Sequence, residues 1–431
     1  MKGRRRVDIV VVGAGPAGLA AATAAAATGR RVLVIDQAVR AGGQIWRHRS
    51  EAALPKQASE LLARARGAGV TFAFGARVVD ANSPQEIIVD FRGRIAPVGT
   101  EAIVLATGAK ERFLPFPGWT LPGVTGVGAL QALLKSGLRL PGRRVVLAGT
   151  GPLLLPVAAT LATDGADVLL VAEQADDSKL IRFAASMLSS PGKLIDALRY
   201  RAAFLATPYR PATWVTRADG DGQLRSVTLS ERGKTRTIDC DWLGAAMGLV
   251  PNVELAQLFG CDVRQDGIVI DASQQTTVAG VWAAGECTGV KGEEAGLVEG
   301  FIAGAAAAGD PHDTGRSALR ARDAGRRLQE RLARAFALRP EVTALADEAT
   351  IICRCEDVTR GQLDPAWSQR QAKLWTRIGM GACQGAVCGP ACAALFGWEA
   401  NAPRPPIQAP AIGGWSEALT HEGIQEPPRN S

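Results

Sequence analysis

The sequence predicts an α/β chain holding two copies of one strand–turn–helix–strand unit, with a small helical module near its C-terminal end. Three observations predict it. VDIVVVGAGPAGLAAATAAAATGRRVLVID spans 7–36, RRVVLAGTGPLLLPVAATLATDGADVLLVAE repeats its pattern at 143–173, and four cysteines form two close pairs, Cys353 with Cys355 and Cys383 with Cys388. Repetition of such a unit is the signature of two dinucleotide-binding, Rossmann-like domains. A length of 431 residues, nearly half of them hydrophobic, also exceeds one ordinary core, so two or three domains are expected.

In the first unit a β-run at 7–12 enters Gly13, Gly15 and Gly18, a helix follows to about residue 28, and a second strand ends in Asp36. The first glycine permits the tight turn, the second lets a pyrophosphate approach the backbone, and the third lets helix pack on strand. The helix N-terminus, with Pro16 and Ala17, then faces the phosphates, while Asp36 and the adjoining Gln37 are placed for the ribose side. The loop RAGGQIWRHR at 40–49 offers Gly42, Gly43 and Gln44 for close backbone contact; the alternative is a plain loop with Trp46 tucked into the core. His48 is expected at the surface rather than in catalysis. Residues 52–100 read as a helix and short alternating strands, a β-insertion. A buried strand then leads to Ala106, Thr107 and Gly108, where an ATG turn passes close to the dinucleotide.

The second unit has Gly149 and Gly151 and ends in Glu173, but Leu154 replaces its third glycine. The turn must therefore be wider or the helix displaced, and NAD(P) binding, an ATP-like or vestigial site, and a purely structural domain all stay open. Residues 178–206 read as helices and 207–243 as a β-meander whose Cys240 is a core thiol. The chain returns to the first domain at 244. DGIVIDASQQTTVAGVWAAGECTG at 266–289 is similar to the turn that holds flavin ribityl and pyrophosphate groups in two-dinucleotide reductases, with Gly285 and Glu286 at its end and a helix at 293–308 aimed at them. Glu stands there where Asp is usual. Cys287 beside it is read as a bystander.

The four paired cysteines can converge on one soft metal centre, and thiolates are the usual ligands of iron–sulfur clusters. Structural zinc prefers Cys-x2-4-Cys knuckles, often with a histidine; here the spacings are Cys-x-Cys and Cys-x4-Cys, and no histidine lies between 313 and 420. A [2Fe–2S] cluster is favoured, with zinc and a disulfide pair as alternatives, and Cys392 as a substitute for Cys388. Glycines 379, 381, 385 and 389 suit a backbone wrapped around such a centre.

The net charge of +7 gathers in Arg4 to Arg6 and in an arginine-rich helix at 316–336. Without interleaved aromatics or a nucleic-acid motif, that helix is a solvated or partner-facing one. The MKGRRR start mimics a secretory signal, but its apolar run holds GAGPAG and continues into a folded unit. The apolar run at 145–163 is broken by two prolines and two glycines, so no transmembrane segment is expected. Eight cysteines without a secretion signal point to a reducing, cytoplasmic compartment. The proline-rich tail from 401 is read as pre-extended for a partner or as disordered.

Taken together, GAGPAG with Asp36, GGQIWR, ATGAKERFLPFPG, GTGPLLLP, GVWAAGECTG and CRCEDVT with TRIGMGACQGAVCGP resemble the FAD-dependent subunit of heteromeric amino-acid dehydrogenases. That family includes the A subunits of opine (octopine or nopaline) oxidases, the matching subunit of hydrogen cyanide synthase, and the α subunits of dye-linked proline and D-hydroxyproline dehydrogenases. The resemblance implies two dinucleotide-binding domains of the FAD/NAD-linked reductase type plus a small helical C-terminal iron–sulfur domain. The cysteine module resembles bacterioferritin-associated ferredoxin, which implies [2Fe–2S] ligands at Cys353, Cys355, Cys383 and Cys388. It also implies a partner: a glycine-oxidase-like β subunit that oxidises the amine with its own FAD. FMN at a subunit boundary and a small third subunit would complete the hetero-oligomer.

The expected division is 1–118 with 244–310 for FAD, 119–243 for the second nucleotide domain, 311–349 as connector, 350–400 for the cluster and 401–431 as tail. Three histidines, two tyrosines and no evident base with a substrate-binding arginine make a complete C–N oxidation site hard to assemble, so no catalytic residue is assigned. No Cys-x-x-Cys accompanies the flavin segments, which argues against a disulfide reductase. An electron-transfer subunit is the leading expectation. The alternatives are a self-sufficient NAD(P)H reductase and a nucleotide- and cluster-bearing scaffold.

Overall fold

The structure, a computed structural model, describes residues 5–189, 191–264, 267–310, 316–399 and 403–410. Two compact units emerge, residues 1–110 with 251–327 and 402–431, and residues 111–250 with 328–401. The first is built on a five-stranded parallel sheet in the order Val281–Ala283, Ala102–Leu105, Ile9–Val12, Val32–Asp36, Thr71–Phe74. The apolar runs IVVV, VLVID and AIVL are buried on both faces, as parallel strands covered by helices must be. A four-stranded sheet, Arg5–Arg6 with Arg94–Gly99, Glu86–Phe91 and Ala76–Ser83, carries the β-insertion.

Helix Pro16–Ala27, PAGLAAATAAAA, buries nine of its residues, because alanine lets other backbone approach on nearly every side. Its neighbour is helix Glu293–Ala307. There Gly296, Gly300 and Gly304 recur at a spacing of four and so share one face. A Cβ at Gly300 would lie 2.1 Å from the Ala17 carbonyl oxygen, and one at Gly304 2.1 Å from that of Ala21. The two helices therefore pack backbone against backbone.

The second unit repeats the plan in the order Val124–Gly126, Trp242–Ala246, Arg144–Gly149, Asp167–Glu173, Tyr209–Arg210, all parallel. An antiparallel meander, Thr213–Gly220, Leu224–Glu231 and Lys234–Asp239, belongs to it. So does the cysteine segment, with the short hairpin Ile351–Cys353 and Val358–Thr359 and helices Gln369–Thr376 and Cys388–Phe396. Val342 and Ala391 enter one core with Leu114, Phe116, Trp119 and Trp214, and Trp119 Nε1 donates to the Ile351 carbonyl at 2.6 Å.

The arginine-rich stretch forms helix Arg316–Ala335, while connector residues 311–315 lie outside the described residues. Of the tail expected at 401–431, only 403–410 is described, and Ile407 N–H donates to the Val79 carbonyl at 2.8 Å. Among the described residues no helix is long and apolar enough to cross a membrane.

Gly300→Val forces a side chain into the Ala17 backbone, so it should destabilise the first unit by about 1–3 kcal/mol or more in urea melts. Gly67→Ala, where a Cβ meets nothing within 4 Å, should leave the melt unchanged or slightly raised.

Candidate functional site

The first unit gathers its predicted site segments at the C-terminal edge of the sheet. Gly13 has φ +111°, and a Cβ there would lie 2.2 Å from the Ala106 carbonyl oxygen; one at Gly18 would lie 1.8 Å from that of Gly13. A Cβ at Gly285 would meet Ala17 Cβ at 2.7 Å, and one at Gly43, φ +59°, would meet Gly15 Cα at 3.0 Å. The segments 13–18, 42–44, 106–108 and 285–286 thus meet through bare backbone. At two of these turn positions the space where a Cβ would sit is open. A Cβ on Gly15 would find only Gly43 Cα, at 3.8 Å, and Gly108, φ +70°, has nothing within 4 Å. Those open backbones are what a ligand approaching the turn requires.

Asp36 accepts from Ala14 N–H at 2.6 Å and Ala38 N–H at 2.7 Å, one per carboxylate oxygen. Burial pushes its carboxyl up, while those two N–H groups and the Arg47 charge oppose the shift. Its remaining lone pairs are the ones open to a ribose. Gln37 beside it borders a cavity of about 470 Å³ whose lining includes Gly75, Arg77 and Asp90. Gln44 is exposed and accepts from the Arg47 guanidinium, whereas Trp46 is buried and donates through Nε1 to Glu293 at 3.0 Å. The loop at 40–49 therefore combines glycine backbone at the turn with a tryptophan in the core. His48 is half-buried, Nδ1 at 2.8 Å from the Trp46 carbonyl.

Around Gly285 lies a buried network that sequence reasoning missed. Glu299 accepts from Gly285 N–H at 3.0 Å, from Thr288 Oγ1 at 3.1 Å and from Lys291 Nζ at 2.5 Å, and Lys291 also donates to Thr288. Both charged side chains are buried, which is tolerable only because each is paired and hydrogen-bonded. A lysine and a glutamate eight apart in a glycine- and alanine-rich stretch were the available signal. Burial raises Glu286, opposed by the Gly292 N–H and the Lys291 charge. Cys287 is wholly buried, donates to the Leu105 and Ala284 carbonyls at 3.3 Å, and burial pushes its thiol up to about 11, as suits a packing residue.

The second unit differs at its turn. Helix Leu154–Thr163 starts three residues after Gly151, whereas the first unit's helix starts one residue after Gly15. Leu154, at the position of the third glycine, is fully buried in a core with Val127, Leu130 and Val157. Glu173 accepts from Gly151 N–H and Ala175 N–H, both at 2.9 Å.

All eight cysteines are free thiols. Cys355 Sγ lies 3.9 Å from Cys383 Sγ, far beyond the roughly 2.05 Å of a disulfide. It is close to the ~3.8 Å between two sulfurs held tetrahedrally at about 2.3 Å by one metal. Cys388, the first residue of its helix, hydrogen-bonds Cys353 and feels Cys392 and Cys383; burial is the largest influence raising its thiol. Cys392 interacts with Cys353 through charge alone and is held up to about 12 mainly by burial. Cys383 is held below its ordinary value: burial opposes this, but the N–H groups of Val387, Gly385 and Ala386 and the Cys355 thiol outweigh it. Among the described residues no three His, Cys, Asp or Glu side chains are grouped to hold a single metal ion. The arrangement is two pairs, Cys355 with Cys383 and Cys353 with Cys388.

Two parallel sheets, each with a glycine turn leading from a strand into a helix, define a protein of the two-dinucleotide-domain class. The chain belongs to the pyridine nucleotide-disulphide oxidoreductase family, whose pattern it matches over residues 7–310. It is 32% identical to the HcnB subunit of hydrogen cyanide synthase from Pseudomonas protegens, covering 88% of this chain and 89% of that protein. It is 33% identical to the A subunit of opine oxidase from Rhizobium meliloti, covering 89% and 90% respectively. Among solved structures, L-proline dehydrogenase from P. horikoshii superposes with a TM-score of 0.66 at 19% identity, over 95% of this chain and 79% of that one, a likeness of fold.

Burial pushes the Glu173 carboxyl from 4.5 up to about 7, against the N–H groups of Ala175 and Gly151. Its folded value exceeds its unfolded one, so the stabilisation it gives is full below the unfolded value and is lost as pH rises to about 7. The unfolding free energy of the second unit, read from urea melts, should fall between about pH 4.5 and about pH 7 by an amount on the order of 3 kcal/mol, and Glu173→Gln should remove that slope.

Proposed function

We propose that this chain is the flavin and iron–sulfur electron-transfer subunit of a heteromeric amino-acid dehydrogenase. Its relatives' names support the subunit reading, since both the hydrogen cyanide synthase and the opine oxidase proteins are named as subunits. In this reading the first unit holds FAD. Gly13, Gly15 and Gly18 with Pro16 and Ala17 lie under its pyrophosphate, and Asp36 and Gln37 at its adenosine end. Gly43, Gln44, Ala106, Thr107 and Gly108 flank it, and Gly285 and Glu286 lie at its ribityl chain. Glu299 fixes the Gly285 N–H, so the flavin turn is held before any ligand arrives.

The observation that carries the electron-transfer reading is the pairing of Cys355 with Cys383 and Cys353 with Cys388. These are the proposed ligands of a [2Fe–2S] cluster, which when bound carries one electron at a time. Cys353 and Cys388 are buried and Cys355 is exposed, so the chain would shield one side of the centre from water and leave the other as an exit for electrons. Amine oxidation belongs to a glycine-oxidase-like partner with its own FAD, with FMN at the subunit boundary. The proposed domain limits are 1–118 with 244–310, 119–243, 311–349 and 350–400. Eight free thiols support a reducing, cytoplasmic setting.

The anaerobically purified chain should contain about two irons and two acid-labile sulfides, and dithionite should give a one-electron cluster signal in electron paramagnetic resonance. Cys383→Ser and Cys388→Ser should each abolish that signal and leave bound FAD in place, while Cys392→Ser keeps it. A zinc-bearing protein free of sulfide contradicts the assignment, as does a signal that survives Cys388→Ser and vanishes in Cys392→Ser.

A further inference from the structure

The second nucleotide turn is shut on its adenosine side by the chain itself. In a dinucleotide-binding unit the acid ending the second strand accepts from the adenosine ribose, so the space beside that acid must be open. Here the acid is Glu173, with Gln174 next, and their exposures are 0% and 1%. Each Glu173 oxygen accepts one backbone N–H, from Gly151 or Ala175, just as the Asp36 oxygens accept from Ala14 and Ala38, so the two acids differ in burial and not in these bonds.

Against Gln174 and the turn lies Phe336–Arg339, just past the arginine-rich helix. Gln174 Nε2 donates to the Ala337 carbonyl at 2.9 Å and to Thr150 Oγ1 at 3.1 Å, and its Oε1 accepts from the Arg339 N–H at 2.9 Å. Thr150 Oγ1, in the glycine turn, donates to the Phe336 carbonyl at 3.3 Å. This strap therefore bonds to the turn and to the neighbour of the ribose acid, the two places a nucleotide must touch. It is also anchored at each end. Phe336 meets Phe183 edge-on at 5.0 Å between ring centroids, and the Arg339 guanidinium lies 4.8 Å above the Trp214 ring. Leu338 packs on the core that holds Leu114 and Phe116.

The contrast lies within this one chain. In the first unit Asp36 is only half-buried and Gln37 is exposed, with no segment bonded across them among the described residues. A nucleotide could reach Gln174 and the Thr150 turn only by breaking their bonds to 336–339 and prising Phe336 off Phe183.

We propose that Phe336–Arg339 is a built-in occupant of the second nucleotide cleft and a determinant of electron-donor specificity: it excludes nicotinamide dinucleotides and adenine nucleotides from that unit. The pyridine nucleotide in the family's name is then not this chain's reductant. The proposal rests only on residues of the second unit and stands or falls independently of the cluster assignment.

Hydrogen–deuterium exchange on the full chain tests it, with NADH, NADPH and ATP added in turn. Segments 149–154 and 172–176 should show no added protection, and the Arg339 amide should exchange slowly throughout. Protection of those segments by any of the three, or faster exchange of 336–339 on addition, overturns the proposal. A Phe336→Ala, Gln174→Ala double variant should gain at least tenfold in NADH affinity, with new protection at 172–176. If that variant is folded by circular dichroism, exchanges freely at 336–339 and still binds no NADH, the strap is not what excludes the nucleotide and the proposal fails. If it does not fold, the wild-type exchange decides alone.

Discussion

The candidate flavin site depends on backbone approaching backbone without side chains between. Ala106 and Gly13 carbonyls lie where the Cβ atoms of residues 13 and 18 would be, and Ala17 and Ala21 carbonyls where those of residues 300 and 304 would be. A methyl group at any of these positions has to be accommodated by moving a strand or a helix, and tightly packed interiors yield little. The same approach brings Gly285 and Gly43 against the start of helix Pro16–Ala27, so the packing that stabilises the first unit also draws four separate segments to one turn. Stability and site share one set of contacts.

The parts legible in the sequence were those with a local rule behind them. Strand, turn, helix and acid at 7–36 follow from φ at Gly13 and from the bare Gly15, both of which the spacing specifies. The loss of the third glycine at Leu154 announced a displaced helix, and the helix does start later. Features made by long-range packing were not legible. Trp46 reaching Glu293 across 247 residues and Gln174 held by Ala337 and Arg339 are contacts that no sequence window contains. The glycine spacing at 296, 300 and 304 was visible, but its meaning needed the alanine helix opposite.

The two repeated units have diverged in what their glycine turns present. The first leaves Gly15 and Gly108 bare and Gln37 beside a cavity. The second has buried Leu154 at its corner and bonds its turn and the neighbour of its acid to a strap drawn from the segment that leads to the cysteines. That segment continues through Val342 into the core shared with Trp119, whose indole bonds the Ile351 carbonyl two residues before Cys353. Closing the second turn and supporting the cysteine pairs are thus consecutive tasks of one stretch of chain.

The proposed function has this chain receive its electrons from a protein partner and not from a nicotinamide. Anaerobic visible absorption of the isolated chain, with NADH and NADPH added in turn and dithionite last, is the decisive measurement. Flavin and cluster bands should appear that nicotinamides leave unchanged and that dithionite bleaches. Rapid bleaching of the flavin by either nicotinamide would contradict it and make the chain a reductase in its own right.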